Sequence, residues 1–281
     1  MTAFGGPRET ALCIEIVRAA AAAEILPRFR RLSGGEVRAK SAPDDLVTDA
    51  DLAAEDAIAN ALSRDFPEAL IVGEEAAEAD PHLLDRLAGA ELAFVIDPID
   101  GTWNYASGLA LFGVILAVLV HGRTVLGLLY DPLMEDWIVA RDGGGAWFER
   151  AGDEAPRRLH LAGGGPPSEA KGLVSPFNFA PDVRARLAAQ LTGFGRVDAL
   201  RCSCHEYRML AQGRVRFCLS GSVKVWDHAA GALVAAEAGG AVGMLDGGLY
   251  DPARREGRLL VADTPDLFGA LAEGFSWLED V

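Results

Sequence analysis

The spacing of hydrophobic positions changes along the chain and predicts the order of helices and strands. Residues 8–32 are rich in alanine, with apolar positions at helical spacing, which predicts an N-terminal helix that ends or bends near Pro27. A second helix is predicted from Thr48 or Asp49, where an acidic first turn precedes an apolar face. The apolar run at 69–75 then predicts a short strand that ends in two glutamates.

Between about residues 92 and 150 the pattern is that of successive strands. The runs LAFVID, GVILAVLV, TVLGLLYDP and DWIVARD predict a meandering sheet, with HGR as the hairpin turn between the second and third strands. From about residue 171, strands and helices alternate up to a final helix that begins near Asp266. Mixed sheets covered by helices predict an α+β fold or a layered α/β sandwich.

The polar segment 150–171, rich in glycine and proline, separates these two patterns. It predicts a surface loop between a first lobe, about residues 1–160, and a second lobe, about residues 170–281. The chain has 281 residues, half of them hydrophobic, so we expect both lobes to share one domain with a large core.

Charge and cysteine usage limit the classes of partner. The 26 basic and 41 acidic residues give a net charge of −15, which argues against a nucleic-acid polymer or an anionic membrane as the main partner. A phosphorylated small molecule remains possible if cations lie between it and the protein. The four cysteines form no zinc-type pair and no signal-peptide pattern is present, which predicts a cytoplasmic protein without disulfides. The apolar run at 109–120 is too short to span a bilayer as a helix.

The motif DPIDGTWNY, residues 97–105, follows an apolar strand and carries the first candidate chemistry. Pro98 turns the end of the strand, so we expect Asp97 and Asp100 to converge. Converging carboxylates repel each other unless one is protonated or a hard cation such as Mg²⁺ lies between them. The carbonyl of Ile99 is a natural additional oxygen ligand. For this motif alone, an acidic surface turn is an equally good interpretation.

Further residues make the metal interpretation stronger. The backbone amides of Gly101 and Thr102 lie where a short helix would begin, a favourable place for a phosphate oxygen. Glu74 ends a strand, whereas Asp51 and Asp227 each begin a helix. Taken one at a time, such acids are usually helix caps or solvated charges. Their combination points to a metal centre.

Four segments together resemble one family in order and spacing. They are KSAPDDLVTDAD (40–51), IVGEE (71–75), VIDPIDGTWNY (95–105) and VWDHAAGALVAAEAGG (225–240). The family is that of the inositol monophosphatases, Mg²⁺-dependent and lithium-sensitive phosphatases that usually form homodimers. The resemblance covers most of the chain. It implies a layered α/β/α/β/α sandwich of the sugar-phosphatase type, with the active site between its parts.

The resemblance also implies two to three Mg²⁺ ions and their ligands. The first ion would be held by Glu74, Asp97 and the carbonyl of Ile99. The second would be held by Asp97, Asp100 and Asp227. A weaker third ion would depend on Glu74 and water molecules.

Catalytic and substrate-binding roles follow from the same positions. Thr102, paired with Asp51, would orient and help to deprotonate the attacking water, with Glu74 as the third catalytic residue. The phosphate would be held by the amides of Gly101 and Thr102 near Asp100. Lys40 matches a lysine that the family keeps close to the bound waters; a solvated loop lysine is the alternative.

Some positions depart from the family pattern and concern the substrate. Trp103 stands where a small hydroxyl residue is usual, and it would either pack the turn or form a flat wall for a substrate ring. Arg201, Ser203 and Ser220 fall where inositol-specific members read the inositol ring. Ser203 and Arg201 are therefore candidate substrate contacts, and Arg201 would suit a second phosphate or a carboxylate. The alternative for Arg201 is an ion pair with Glu206 or another local acid.

The cysteines and the polar residues that follow Arg201 are predicted to have structural roles. Cys202 and Cys204 are predicted to be packing residues, since the family uses no covalent intermediate. The cluster HEYR, residues 205–208, is predicted to be a helix cap with surface ion pairs, substrate contact being the alternative.

The sequence thus predicts a Mg²⁺-dependent phosphomonoesterase that acts on a small phosphorylated metabolite, either inositol-phosphate-like or a related sugar or nucleotide phosphate. The alternatives on the same fold are a 3′(2′),5′-bisphosphate nucleotidase, a histidinol-phosphatase and a fructose-1,6-bisphosphatase. An idle family member that binds a partner in a metal-dependent manner and a structural Ca²⁺-binding protein are the non-enzymatic alternatives.

Overall fold

The computed structural model describes residue 4, residues 6–153 and residues 155–280. One outer layer of the fold contains α1 (Pro7–Ala20) and α2 (Asp49–Asp65). α1 continues as a π-helical turn over Ala21–Ile25 and ends just before Pro27, so the predicted end or bend near Pro27 is confirmed. Pro27 has no amide hydrogen with which to continue the helical hydrogen bonds, and residues 26–31 form turns instead.

A hairpin and a capping box lead into α2. β1 (Val37–Ala39) and β2 (Leu46–Thr48) pair antiparallel, and Thr48 is the N-cap of the helix. Its hydroxyl accepts the amide of Asp51, whose carboxylate accepts the amide of Thr48. The predicted start of this helix at Thr48 or Asp49 is confirmed, and the box holds the Asp51 carboxylate at the helix N-terminus.

The second layer is a seven-stranded sheet whose strands lie side by side in chain order. They are β3 (Leu70–Gly73), β4 (Leu92–Asp100), β5 (Gly113–Val120), β6 (Arg123–Asp131), β7 (Asp136–Arg141), β8 (Gly145–Arg150) and β9 (Arg157–Leu159). β3 and β4 are parallel and the other neighbours are antiparallel, so the meander predicted between residues 92 and 150 is confirmed. β9 continues it beyond residue 150.

The remaining layers consist of a smaller sheet and the helices on its two faces. Its strands are β10 (Lys171–Val174), β11 (Arg196–Asp198), β12 (Phe217–Ser220), β13 (Ala241–Met244) and β14 (Leu259–Ala262), in the spatial order β11-β10-β12-β14-β13. The long helices of this half are α6 (Arg184–Leu191), α7 (Ser203–Ala211), α8 (Val225–Glu237) and α9 (Pro265–Phe275). Short helices elsewhere are α3 (Glu74–Ala79), α4 (His82–Asp85) and α5 (Thr102–Ala106). Single 3-10 turns cover Leu87–Gly89, Pro167–Glu169, Pro176–Asn178 and Ser276–Asp280.

Burial shows how the layers stack. α7 and α8 lie between the two sheets, and side chains from all four form one buried cluster. α1 and α2 cover the outer face of the large sheet, and α6 and α9 cover the outer face of the small one. The predicted α/β/α/β/α sandwich is therefore confirmed. The division into two lobes stays a prediction; the large sheet ends at Leu159 and the small one begins at Lys171.

Small residues allow α8 to approach its neighbours closely. A Cβ atom at Gly231 would lie 2.1 Å from the ring of Tyr207 in α7, and one at Gly127 would lie 2.6 Å from the carbonyl oxygen of Ala230. Both distances are far below van der Waals contact, so only glycine fits at these positions. Among the described residues, no helix is both long and apolar enough to cross a membrane.

Candidate metal and phosphate site

A β-bulge at the end of β4 brings two aspartates to the same place. Asp97 pairs with Ile115 of β5 and Asp100 pairs with Gly113, so three residue steps on β4 face two on β5. In a regular strand, side chains three positions apart point to opposite faces of the sheet, and the extra residue removes this opposition. Asp227 in the first turn of α8 reaches the same point, and oxygen atoms of the three carboxylates lie within 4.8 Å of one another.

The electrostatics of this cluster favour a cation. Burial, followed by the nearby charges of Glu74, Asp100 and Asp227, raises the pKa of Asp97 well above its usual range. Burial and then Asp227 raise the pKa of Asp100 to about 7. The Oδ1 atom of Asp97 is buried without a hydrogen-bond partner among the described residues. A divalent cation would satisfy this oxygen and allow all the carboxylates to stay ionised, so the residues fit a metal ion.

Glu74 lies next to this cluster, at the start of α3 and directly after β3. It is not one of the three carboxylates that meet within 4.8 Å, although its charge is the largest electrostatic contribution to the raised pKa of Asp97. Burial raises the pKa of Glu74 itself to about 8, and the ammonium of Lys40 opposes this shift. The charges of Glu74 and Asp97 thus interact, although Glu74 lies outside the cluster of three carboxylates.

The second half of the chain holds Asp100 in place. The backbone amide of Cys204 and the thiol of Cys202 both donate to Asp100 Oδ2, the sulfur at 3.1 Å. Both cysteines are buried, in agreement with the predicted packing role. The hydrogen bond from the Cys202 thiol was not predicted, since no sequence pattern joins residues 102 positions apart.

The predicted catalytic pair is in contact. Thr102 Oγ1 lies 3.2 Å from Asp51 Oδ1 and 3.0 Å from the carbonyl oxygen of Ile99. Its single proton can serve only one of these acceptors. Asp51 is 1% exposed, and burial raises its pKa to about 6 although hydrogen bonds from Thr48 oppose the shift. An acceptor with this pKa is well matched to proton transfer near neutral pH.

Gly101 makes the sharp turn between β4 and α5. Its φ of 87° is in the left-handed region. A Cβ atom at this position would lie 3.1 Å from the carbonyl oxygen of Leu111 and 3.2 Å from the Cβ of Cys202. Glycine is therefore required for both its backbone conformation and its lack of a side chain. The turn leaves the start of α5 beside the carboxylate cluster.

Lys40, in the loop between β1 and β2, is directed into the site. Its ammonium lies 3.2 Å from Glu74 Oε1, 2.6 Å from Glu75 Oε1 and 2.9 Å from Glu78 Oε2. The side chain is only 11% exposed, so the alternative of a solvated loop lysine is wrong. Lys40 places one positive charge among the carboxylates at the metal cluster.

Arg201 lies at the rim of the site and is already engaged. Its guanidinium carbon is 4.4 Å from the centre of the Trp103 ring, and Nη2 is 3.3 Å from Asp44 Oδ2. An ion pair with a local acid is therefore present, but the acid is Asp44 and not Glu206. Glu206 accepts the amide of Leu200 at 3.0 Å instead.

Beyond Asp227 lies a small polar pocket. Asp227 forms part of its wall, and the other polar side chains include Ser175, Asn178, Ser203, Ser220, Ser222 and Glu206, with Tyr207, His228 and apolar residues completing the lining. Ser203 and Ser220 thus share this pocket, whereas Arg201 does not line it. Burial raises the pKa of Glu206 to about 7, and the charge of Asp227 adds to the shift.

The prediction of surface ion pairs at residues 205–208 is wrong for Arg208. Its side chain is 6% exposed and forms an ion pair with the carboxylate of Asp136, whose own side chain is 5% exposed. It also donates to the carbonyl oxygen of Leu129 at 2.8 Å. The pair ties α7 to the large sheet. The sequence pattern missed it because a charged helix residue usually faces solvent.

Solved structures share the whole fold. The Thermotoga maritima IMPase superposes with a TM-score of 0.76 at 23% identity and covers 96% of this chain and 99% of its own. An inositol monophosphatase from Zymomonas mobilis gives a TM-score of 0.77 at 23% identity, covering 96% and 98%. At this identity the likeness establishes the fold, which is the layered α/β/α/β/α sandwich described above.

Sequence comparison then establishes the family. The model of the inositol monophosphatase family matches residues 8–276, and the chain belongs to this family. It is 31% identical over 238 residues to the inositol monophosphatase of Dictyostelium discoideum, covering 82% of each chain. It is 32% identical over 210 residues to the Nus factor SuhB of Pasteurella multocida, covering 73% and 74%. The protein is a phosphatase of the inositol monophosphatase type, and its acidic cluster can hold a metal ion.

Proposed function

We propose that the protein hydrolyses the phosphate monoester of a small metabolite with the help of two to three Mg²⁺ ions. The observation that carries the proposal is the convergence of Asp97, Asp100 and Asp227 within 4.8 Å, a short distance from the Thr102 and Asp51 pair. A cluster of carboxylates alone would only bind a cation. A hydroxyl paired with a buried carboxylate provides the proton acceptor that hydrolysis also requires.

We propose the ligands from the family resemblance, with Asp97, Asp100 and Asp227 supported by their convergence. We assign Glu74, Asp97 and the carbonyl of Ile99 to one ion, and Asp97, Asp100 and Asp227 to a second, with Glu74 available to a weaker third. Bound Mg²⁺ would polarise the phosphoryl group, lower the pKa of a water molecule and stabilise the leaving alkoxide. Sharing of Asp97 by two ions agrees with its central position among the other carboxylates.

The chain itself supplies proton transfer. With the carbonyl of Ile99 used as a ligand, the proton of Thr102 is donated to Asp51, and the Thr102 oxygen is free to accept a proton from the attacking water. Asp51 takes the proton onward because burial gives it a pKa of about 6. Glu74 would help to orient the same water molecule.

Substrate binding is proposed at two places. The amides of Gly101 and Thr102 at the start of α5, together with Lys40, would bind the phosphate near Asp100. The alcohol part would enter the polar pocket beyond Asp227, where Ser203 is one of several hydroxyl groups. Hydroxyl and amide groups suit a neutral polyol or sugar, so we favour an inositol-phosphate-like or related sugar or nucleotide phosphate.

A phosphate-release assay tests this function. Inositol 1-phosphate, fructose 1,6-bisphosphate, a 3′-phosphoadenosine nucleotide and histidinol phosphate should be compared in Mg²⁺, with and without lithium. We expect Mg²⁺-dependent release from at least one substrate, inhibition by lithium and loss of activity in Asp51→Asn. Magnesium binding without release from any phosphate monoester would contradict the proposal.

That negative result would instead support a metal-dependent binding protein. Relatives named Nus factor SuhB are the observation that favours this alternative, since the name denotes something other than a phosphatase. The contact between Thr102 and Asp51 counts against it, because a binding protein has no need of a water-orienting pair. We further propose a cytoplasmic homodimer, which size-exclusion chromatography with light scattering would test.

A further inference from the structure

The contacts of Arg201 join three segments that surround the proposed phosphate site, and the inference drawn from them rests on the proposed function. Asp44 belongs to the loop 40–45, Trp103 to α5, and Arg201 to the turn before α7. The guanidinium is stacked on Trp103 and donates to both the carboxylate and the backbone carbonyl of Asp44, at 3.3 and 3.2 Å. We propose that Arg201 is a positioning residue that holds the loop 40–45, and with it Lys40, over the phosphate site.

Hydrogen bonds within the loop 40–45 connect its two ends. The amide of Lys40 donates to the carbonyl oxygen of Asp45 at 2.7 Å. The amide of Asp45 donates to the carbonyl oxygen of Ala42 at 3.0 Å. The hydroxyl of Ser41 donates to the Asp45 carboxylate. These bonds close the loop on itself, so a contact at Asp44 also restrains Lys40 at the other end. Lys40 is the residue that reaches Glu74.

The opposite side of the contact is a rigid anchor. Arg201 has a φ of 55°, a left-handed conformation that a non-glycine residue adopts only when its surroundings impose it. Asn104 donates to the carbonyl oxygens of Leu200 and Arg201 at 2.9 and 3.4 Å. Glu206 accepts the amide of Leu200 from the other side. The turn therefore holds the guanidinium over Trp103 whether or not the loop is in contact.

This arrangement gives Trp103 a role. A small hydroxyl residue at this position, which is usual in the family, would offer no flat face to a guanidinium. The tryptophan ring covers one face of Arg201 and leaves the edge to Asp44. The side chains of Arg201 and Asp44 are 41% and 64% exposed, so the pair is weak and sensitive to salt. A weak contact suits a loop that must open to admit substrate and close again.

The alternative is that Arg201 binds a second anionic group of the substrate, and this role predicts different effects of substitution. If Arg201 bound the substrate, Asp44 would compete with it, and Asp44→Ala would leave activity unchanged or improve it. If Arg201 holds the loop, Asp44→Ala removes its carboxylate partner, and Arg201→Ala removes in addition the bond to the Asp44 carbonyl. Both single variants should then lose activity, Arg201→Ala at least as much as Asp44→Ala, and the double variant should have the effect of Arg201→Ala alone, which is the behaviour of two residues that act as a unit.

The test combines hydrogen exchange with kinetics. Amide exchange over residues 40–45 should be measured with Mg²⁺ in wild type, Asp44→Ala, Arg201→Ala and the double variant, and kcat and KM should be measured with p-nitrophenyl phosphate, which has no second anionic group. We expect faster exchange in all three variants, a fall in kcat/KM of about fivefold in Asp44→Ala, the size expected for one exposed ion pair, and a fall at least as large in Arg201→Ala and the double variant. Arg186→Ala is the matched control. Arg186 lies on the outer helix α6, and its guanidinium carbon also stacks on a tryptophan, 3.8 Å from the centre of the Trp277 ring.

Each outcome is informative. Changes in both single variants, with the double variant no more affected than Arg201→Ala and no change in the control, support the proposal. Unchanged exchange in Arg201→Ala, or a kinetic loss confined to Arg201→Ala, overturns it. Hydrogen exchange reports on the loop even if no phosphate ester is hydrolysed, so failure of the proposed function would be seen separately as absence of turnover in wild type.

Discussion

Replacing Asp97 by asparagine tests the electrostatic account of the site most directly. Asp97 is 2% exposed, and its carboxylate lies among those of Asp100, Asp227 and Glu74. Asparagine keeps the shape of the side chain and removes its charge. We expect the metal-free variant to be more stable than wild type, to lose its stabilisation by Mg²⁺ and to lose turnover, while the fold stays intact.

The magnitude follows from the distances. Two charges within 4.8 Å of each other repel by at least about 3 kcal/mol at the effective dielectric constant of about 20 that suits protein sites. In wild type, protons bound by the cluster already relieve part of this repulsion. The substitution therefore stabilises the protein by less than the full repulsion energy. We therefore expect the free energy of unfolding of metal-free Asp97→Asn to exceed that of wild type by about 2 kcal/mol at pH 7.5. At a Mg²⁺ concentration of about 100 times Kd, wild type should gain about 2.7 kcal/mol.

Urea unfolding with EDTA and with Mg²⁺, together with calorimetric titration of Mg²⁺, gives these quantities. Asp263→Asn is the matched control because Asp263 is also buried, at 4% exposed, but accepts a hydrogen bond from Arg216 at 2.7 Å. It should be destabilised by about 3 kcal/mol, the cost of leaving a partly buried arginine unpaired, and should retain Mg²⁺ binding. The same substitution is thus expected to raise the free energy of unfolding at Asp97 and to lower it at Asp263. A metal-free Asp97→Asn protein that unfolds more easily than wild type, or one that keeps full turnover, would refute the reasoning.

Three further predictions concern the catalytic pair, the pH dependence of stability and the buried ion pair. Thr102→Val should lower kcat by about a hundredfold or more, whereas Thr102→Ser should keep most activity because the hydroxyl remains; equal losses in steady-state assays would contradict the proton transfer. Burial raises the pKa of Asp100 to about 7 and that of Glu74 to about 8, so the metal-free folded state holds protons that the unfolded chain releases near pH 4. Thermal melting in EDTA should therefore show stability falling as pH rises from about 4 to about 8, with the largest recovery by Mg²⁺ at the upper end; rising stability over this range would be inconsistent with a buried acidic cluster. Arg208→Met should lower the free energy of unfolding by about 3 to 5 kcal/mol without changing the response to Mg²⁺, whereas Arg150→Met, which removes an exposed partner of the same aspartate, should change it far less. Equal effects of these two substitutions in urea unfolding would count against a buried pair.

Much of the fold could be predicted from the sequence because its main elements have strong local signals. The four strands β4 to β7 are nearly continuous apolar runs, and the start of α2 carries a capping box within four residues. The short strands β1, β8 and β9 have no comparable run. They were missed because their pairing depends on neighbouring strands more than on their own residues. The end of the first helix could be predicted from Pro27, because proline cannot continue the helical hydrogen bonds.

The sequence by itself determined the candidate chemistry: which acidic residues end a strand or begin a helix, and which glycine and threonine follow them. Only the tertiary structure decided how these groups meet. The bulge between Asp97 and Asp100 needs β5 as its partner, and the Cys202 thiol reaches Asp100 from the other half of the chain. Arg201 could have paired with any nearby acid, and packing against Trp103 directs it to Asp44. The physical reason is common to all three: hydrogen bonds and ion pairs form between groups that the folded chain brings within about 3 Å, and the spacing of residues in the sequence does not specify that distance.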